Sequence, residues 1–300
     1  MKELTDILGK NTKARGALGF DFPETKIILD EAGKPVEYKK YERYDSYKII
    51  EECMVLANES VARLYTKYPF LYRIHEKPDT EDIEKFMKII ETVDSSLSHS
   101  TISFQSLLDT LKASPKLEPF QRLLLRSLAK ARYSEKNMGH FGLALEFYSH
   151  FTSPIRRYPD LQIHRIMKEI ILKRYSPERK SHYQEILPKV ARRSSETSDR
   201  AEKMEYKVRD MLACKYMSDK IGEIFTGKIS GMIEKGFFVE LPNTIEGFIE
   251  FGFSGYSFSI ENYTILQQKT GATLQFGDEV SVKVLRVDPE KYRIEFEIVL

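Results

Sequence analysis

Residues 140–164 read HFGLALEFYSHFTSPIRRYPDLQIH, and the rest of the chain is arranged around them. The centre, Phe151 to Asp160, holds a Thr-Ser pair, a proline, two adjacent arginines and a tyrosine. Ser153-Pro154 reads as a helix N-cap followed by proline at the first helical position, where the missing N–H costs nothing. On that reading the positive end of the helix falls at Arg156 and Arg157. Free N–H groups, the helix dipole and two guanidiniums then converge on a spot that suits a phosphate. Such a spot can stabilise the extra negative charge of a phosphoryl-transfer transition state. Local physics equally allows an ordinary capped helix whose arginines pair with surface carboxylates.

The run from Gly139 to Glu146, GHFGLALE, followed by HFTSPIRRYPDL from His150 to Leu161, resembles the signature of the ribonuclease II / ribonuclease R family. Members of that family carry an RNB catalytic domain and degrade RNA hydrolytically and processively from the 3′ end, with magnesium. The resemblance extends from about Arg15 to the C-terminus. It implies roles for particular residues. Arg156, the first arginine after Ser-Pro-Ile, is the expected transition-state arginine. Arg157, Tyr158 and Glu205 are second candidates for the catalytic centre, and Ser153 is a candidate RNA contact. Glu51 is expected near the sugar of the 3′-terminal nucleotide. Glu205, aligned through Cys214-Lys-Tyr-Met217, falls on an acidic position used near that nucleotide. Phe20 matches a base-stacking aromatic at the channel end.

Each carboxylate also has a plainer reading. In Glu51-Glu52 through Asn58, one carboxylate is solvated and the amide is satisfied inside a helical bundle. Glu205 is a solvated helix carboxylate paired with Lys or Arg four residues away. His75 reads as structural. A single His164 without a second ligand at suitable spacing makes no metal site.

The family coordinates magnesium through closely spaced aspartates in the first part of the RNB domain, and nothing here resembles that cluster. No ten residues hold three aspartates; Asp21, Asp30 and Asp45 are strung along a hairpin. The expectation is therefore no metal ligands in this chain, and magnesium only in the complete family enzyme. The chain reads as beginning where the second half of the RNB domain begins. Single-stranded RNA and a separate N-terminal RNB half are the expected partners, and the isolated chain is expected to be inactive. The alternative is a non-catalytic single-stranded RNA-binding protein.

Composition agrees with a soluble protein of two domains. Of 300 residues, 41% are hydrophobic and 31% charged, ordinary values for a globular chain. No apolar run reaches membrane-spanning length and no signal peptide opens the chain. Two cysteines, Cys53 and Cys214, show no metal or redox spacing, and read as buried thiols in a reducing cytoplasm. The net charge of +2 hides an asymmetry: residues 112–220 hold 24 Lys and Arg against 13 Asp and Glu, so the remainder carries −9. A basic middle suits an RNA channel, although solvated lysines on helices give the same count.

Outward from the motif, apolar periodicity predicts helices over 45–64, 80–93, 104–112 and 120–131. The Ser153 helix continues through 162–173, a loop covers 175–182, and one long charged helix runs from Pro188 to Ile221. Residues 26–30 and 36–38 form a hairpin turned by Gly33, and 94–103 is a serine-rich loop. After Gly222 the pattern becomes short alternating strands separated by glycines. Residues 225–241, 245–250, 277–288 and 293–296 resemble the strands of an S1 domain, a five-stranded OB barrel and a common platform for single-stranded RNA. Lys235, Phe238, Arg286 and Arg293 are the candidates for its RNA face, and either Phe237 or Phe238 should face inward. The expected fold is α+β: the mainly helical C-terminal half of an RNB domain at 1–221, then an S1-type barrel at 222–300.

Overall fold

A computed structural model describes residues 1–20, 25–41, 44–93, 104–113, 120–259, 263–268 and 270–299. Asp21 and the serine-rich stretch 94–103 lie outside the described residues. Helix α1 (Lys2–Ala14) precedes a hairpin of β1 (Thr25–Leu29) and β2 (Pro35–Lys40). Gly33 takes φ 75° in its turn, a backbone region that favours glycine. Asp30 Oδ1 accepts from the N–H groups of Ala32 and Lys34 and fixes that turn. Helix α2 (Asp45–Leu64) has the bounds its periodicity predicts, and strand β3 (Tyr72–Ile74) follows. Helices α3 (Thr80–Val93) and α4 (Phe104–Ala113) also follow their apolar stripes.

Three expectations are corrected. Helix α5 (Phe120–Arg126) stops five residues short of Ala131. Ser127 ends it by donating its hydroxyl to the Leu124 carbonyl, and the chain passes into β4 (Arg132–Ser134), which pairs antiparallel with β3. Helix α6 is Tyr158–Ile171 and does not begin at Pro154. Helix α7 runs from Pro177 to Ser218, so 177–182 is helical and Pro188 lies inside the helix rather than at its start. Pro177 takes the initiating position, where proline is well tolerated. Tyr183, Leu187 and Ala191, all at most 3% exposed, carry the buried face across Pro188 at four-residue spacing, and this packing offsets the lost hydrogen bond.

Beyond α7 come β5 (Ile224–Ile233), β6 (Gly236–Glu240), β7 (Glu246–Glu250), β8 (Tyr256–Ser259), β9 (Thr264–Gln267), β10 (Thr273–Gln275), β11 (Glu279–Asp288) and β12 (Arg293–Ile298). Five of them close a barrel in the order β11-β12-β7-β6-β5, the expected OB arrangement. Strands β8 to β10 form a separate antiparallel sheet that the sequence pattern did not announce. No described helix is long and apolar enough to cross a membrane.

The chain packs as two units that interleave along the sequence. One comprises Met1–Gly19, Arg43–Asp79 and Leu128–Glu202. Its core joins Val61 and Ala62 of α2, Phe70, Leu71, Tyr72 and Ile74, Tyr133, Ile163 and Ile166 of α6, and the buried face of α7. The other comprises Phe20–Glu42, Thr80–Ser127 and Lys203–Leu300. There α3 and α4 pack on α5, and the barrel interior is filled by Ile229, Phe237, Val239, Ile249, Val282, Val284 and Phe296. Gly247 is required inside that barrel, because a Cβ there would stand 2.3 Å from the Phe296 ring. Cys214 is buried as expected, whereas Cys53 is only half-buried.

Candidate nucleic-acid site

The motif residues are held in the first unit by a frame of buried polar side chains. From α2, Asn58 is 2% exposed; its Oδ1 accepts from the Phe151 N–H at 2.9 Å and its Nδ2 donates to the Tyr148 hydroxyl at 3.2 Å. The amide is thus satisfied inside the bundle. From α6, His164 stacks on Phe151 with ring centroids 4.4 Å apart, and its Nε2 lies 2.9 Å from the Phe151 carbonyl. Ser149 donates its hydroxyl to the Leu71 carbonyl. His75 is structural, its Nδ1 accepting from the Gly142 N–H at 2.9 Å.

Ser153 does not cap a helix. Its carbonyl accepts from the N–H groups of Arg156 and Arg157 in a turn, and Arg157, with extended backbone at φ −124°, is the N-cap of α6. Pro159 lies in the first turn of the helix, where it fits as Pro154 was expected to. Asp160, wholly buried, accepts through Oδ1 from the Ser153 N–H at 2.8 Å and from Arg157 Nη2 at 2.8 Å. The positive end of the helix is therefore met by Asp160 rather than left open to a ligand.

The two arginines consequently differ in kind. Arg157 is tied to Asp160, its side chain 19% exposed. Arg156 is exposed and makes no ion pair among the described residues. Tyr158 is half exposed; its hydroxyl reaches Gln162 Oε1 at 3.3 Å, and the Arg165 guanidinium lies over its ring at 5.8 Å.

Sequence reasoning missed three further members of this group. Arg73 of β3 lies 4.7 Å over the Tyr133 ring and forms no ion pair among the described residues. It also lines a cleft of about 410 Å³ with Lys130, Arg132, Asp199 and Glu202. Lys130 already pairs with both Asp199 and Glu202. The Tyr133 hydroxyl lies 2.9 Å from His150 Nδ1. Burial raises the Tyr133 pKa while Arg73, Arg157 and Arg156 pull it down and Asp160 opposes them. Three guanidiniums and one carboxylate act on this hydroxyl. The only signal in the sequence was the three-residue spacing of Arg157 and Asp160; the distant Arg73 and Tyr133 left none.

Burial pushes His150 down to about 2, with Arg157 and Arg73 adding to it, and His140 down to about 3, with His75 and Arg73 adding. Both histidines are neutral when folded. Below the unfolded value of about 6.5 the unfolded chain gains protons that the folded chain refuses. Stability should therefore fall as pH drops from about 6.5 toward 3, by at most about 1.4 kcal/mol per pH unit for each histidine. Urea unfolding at pH 7.5 and pH 5 measures this, and His150→Gln should flatten the acid limb. Equal stability at the two pH values would refute the assignment.

The remaining candidates are placed as follows. Glu51 is exposed on α2, and its neighbour Glu52 accepts from the Thr12 hydroxyl at 3.3 Å. In the second unit, Glu205 is exposed on α7 and makes no ion pair among the described residues, so the pairing with a basic residue four positions away is not formed. Phe20 is half-buried. Lys235 is exposed in the β5–β6 turn. Phe237 faces the barrel interior, and Phe238 stands outside, opposite Phe248 and 5.0 Å from it. Arg293 lies 4.4 Å over Phe248, and Arg286 is drawn to Asp288 and Glu295 at 3.6 and 3.7 Å.

Among the described residues, no three His, Cys, Asp or Glu side chains converge where a metal ion could be held. Asp160, the buried carboxylate of the motif, engages Arg157 and Ser153 through Oδ1, while its buried Oδ2 has no hydrogen-bond partner among the described residues.

An OB barrel following a helical core that bears an arginine-rich turn is the architecture of a nucleic-acid-binding class of protein. The chain belongs to the RNB family: the family model of the RNB domain matches residues 1–173, and that of the S1 RNA binding domain matches residues 218–298. Ribonuclease R of Aquifex aeolicus is 37% identical across 100% of this chain, which spans 44% of that protein. Ribonuclease R 1 of Lactococcus lactis is 36% identical across 99% of this chain and 38% of its own length. The solved Mycoplasma genitalium RNase R in complex with ribose methylated single-stranded RNA is 27% identical, with a TM-score of 0.91 over 99% of this chain and 48% of that one. The chain thus spans less than half the length of these relatives.

Proposed function

We propose that this chain is the RNA-gripping and charge-stabilising part of a hydrolytic 3′→5′ exoribonuclease of ribonuclease R type, acting in the cytoplasm on single-stranded RNA. The observation that carries this reading is the exposed Arg156, without an ion pair among the described residues, in a turn fixed by the Arg157–Asp160 pair. Arg156 faces the scissile phosphate and stabilises charge that develops there. Arg157 holds the turn, with Ser153, Tyr158 and Glu51 lying along the RNA, and Glu205 near the terminal nucleotide. Phe20 stacks a base. Lys235, Phe238, Arg286 and Arg293 belong to the barrel's RNA face. The RNB half covers 1–221 and the S1 domain 222–300. The metal-holding carboxylates come from a separate N-terminal RNB half.

The test uses 3′-labelled single-stranded RNA with magnesium. The chain alone should bind RNA without releasing nucleotides, and release should begin when an N-terminal RNB half is added. Binding should weaken steeply with salt, the log–log slope falling by about 0.7 for each phosphate neutralised. Processive release by the chain alone would refute the division of labour. RNA binding with no release under either condition would favour a non-catalytic RNA-binding protein. Affinity that ignores salt would refute phosphate recognition.

A further inference from the structure

Within the second unit, helix α5 lies against the outer face of the barrel. Arg122 pairs with Glu240 of β6, and Phe120 packs against Phe276 with ring centroids 4.9 Å apart. One turn further along α5, Arg126 is exposed and makes no ion pair among the described residues. Its position follows from a bare site on β5. Gly231 pairs across the ladder with Phe238. A Cβ on Gly231 would stand 3.2 Å from Phe238 Cδ2 and 3.8 Å from Arg126 Nη1. The ring and the guanidinium therefore flank the same point on the strand. On the other side of the aromatic pair, Phe248 is 3% exposed and lies beneath Arg293, so Phe238 is the more accessible of the two rings.

The carboxylates on this face are largely engaged: Glu240 with Arg122, Glu246 with the Ser230 hydroxyl at 2.6 Å, and Glu295 with Arg286. Glu250, at the end of β7, is exposed. A ring beside a cation without a carboxylate of its own matches one nucleotide of a single strand, base on ring and phosphate on guanidinium.

We propose that Arg126 of α5 and Phe238 of β6 form a joint nucleotide subsite, in which the helix adds a phosphate contact beside the Phe238 ring to those of the barrel's own basic residues. This subsite rests on the RNA-binding reading above. It extends the RNA face beyond the S1 strands to a helix more than ninety residues earlier in the chain. Arg126→Ala should not disturb the fold, since the side chain is exposed and α5 keeps its anchors at Arg122 and Phe120.

The test is titration of a fluorescein-labelled 12-nucleotide RNA with the full chain over a range of salt. Arg126→Ala should weaken binding about five- to tenfold at low salt and make the log–log salt slope shallower by about 0.7, the loss of one single-strand phosphate. Arg126→Lys should keep the slope. Phe238→Leu should lose affinity with the slope unchanged, because stacking displaces no counterions. If the unaltered chain binds RNA and Arg126→Ala changes neither affinity nor slope, the subsite is refuted while the wider reading stands. Tighter binding by Arg126→Ala would also overturn it, showing that α5 shields the ring. No binding by the unaltered chain would overturn both.

Discussion

Replacing Arg156 with alanine is expected to slow single-turnover cleavage by the complete assembly about a hundred- to a thousandfold at saturating RNA, the usual cost of removing one preorganised donor to developing charge. RNA affinity should change little. The exposed guanidinium contributes one contact among many to the bound ground state, but acts on the phosphate where charge accumulates. The prediction separates the two adjacent arginines. Arg156 is uncommitted among the described residues, so its loss should leave the folded unit intact. Arg157 is bound to a fully buried carboxylate, so its loss should act first on stability. Cleavage at the unaltered rate by Arg156→Ala, with normal binding, would remove Arg156 from the mechanism.

Asp160→Ala is expected to cost about 3–5 kcal/mol of folding stability, because it leaves the Arg157 charge without its partner inside the protein. The same change removes the acceptor of the Ser153 N–H. Urea denaturation of the two proteins, followed by far-ultraviolet circular dichroism, measures the difference. Asp160→Asn should cost less, since an amide oxygen still accepts from both donors. A loss below about 1 kcal/mol for the alanine variant would place the pair in the weak class of surface ion pairs and contradict its burial.

The helices with one clean apolar stripe, α2, α3 and α4, were legible because burial fixes their period. Prolines misled, since the same residue signals a helix start at Pro154, Pro177 and Pro188 and only packing decides among them. At Pro154 the backbone is claimed by the Asp160 turn. At Pro188 the buried face of α7 carries the helix through. The S1 strands were readable from their alternation, whereas β8 to β10 are three or four residues each, too short for a period to register. Arg156 was visible through its motif. Arg73, Tyr133 and His150 reach one place from different parts of the chain, and Arg126 reaches the barrel face only through the packing of α5. Local pattern does not encode such meetings.

The turn from Phe151 to Arg157 has its backbone fixed at several points: Phe151 through Asn58 and His164, Ser153 through Asp160, and Arg157 through its own side chain. A loose loop of this length would lose about 1–2 kcal/mol of conformational entropy per residue on closing around a phosphate. Here that ordering accompanies folding, and within this turn only the outer bonds of the Arg156 side chain would be left to immobilise on a phosphate. The turn's own share of the unfavourable ordering entropy is thereby confined to one side chain, and changes in the frame around Asn58 and Asp160 should be felt as a penalty on ordering this turn before any contact made by it is lost.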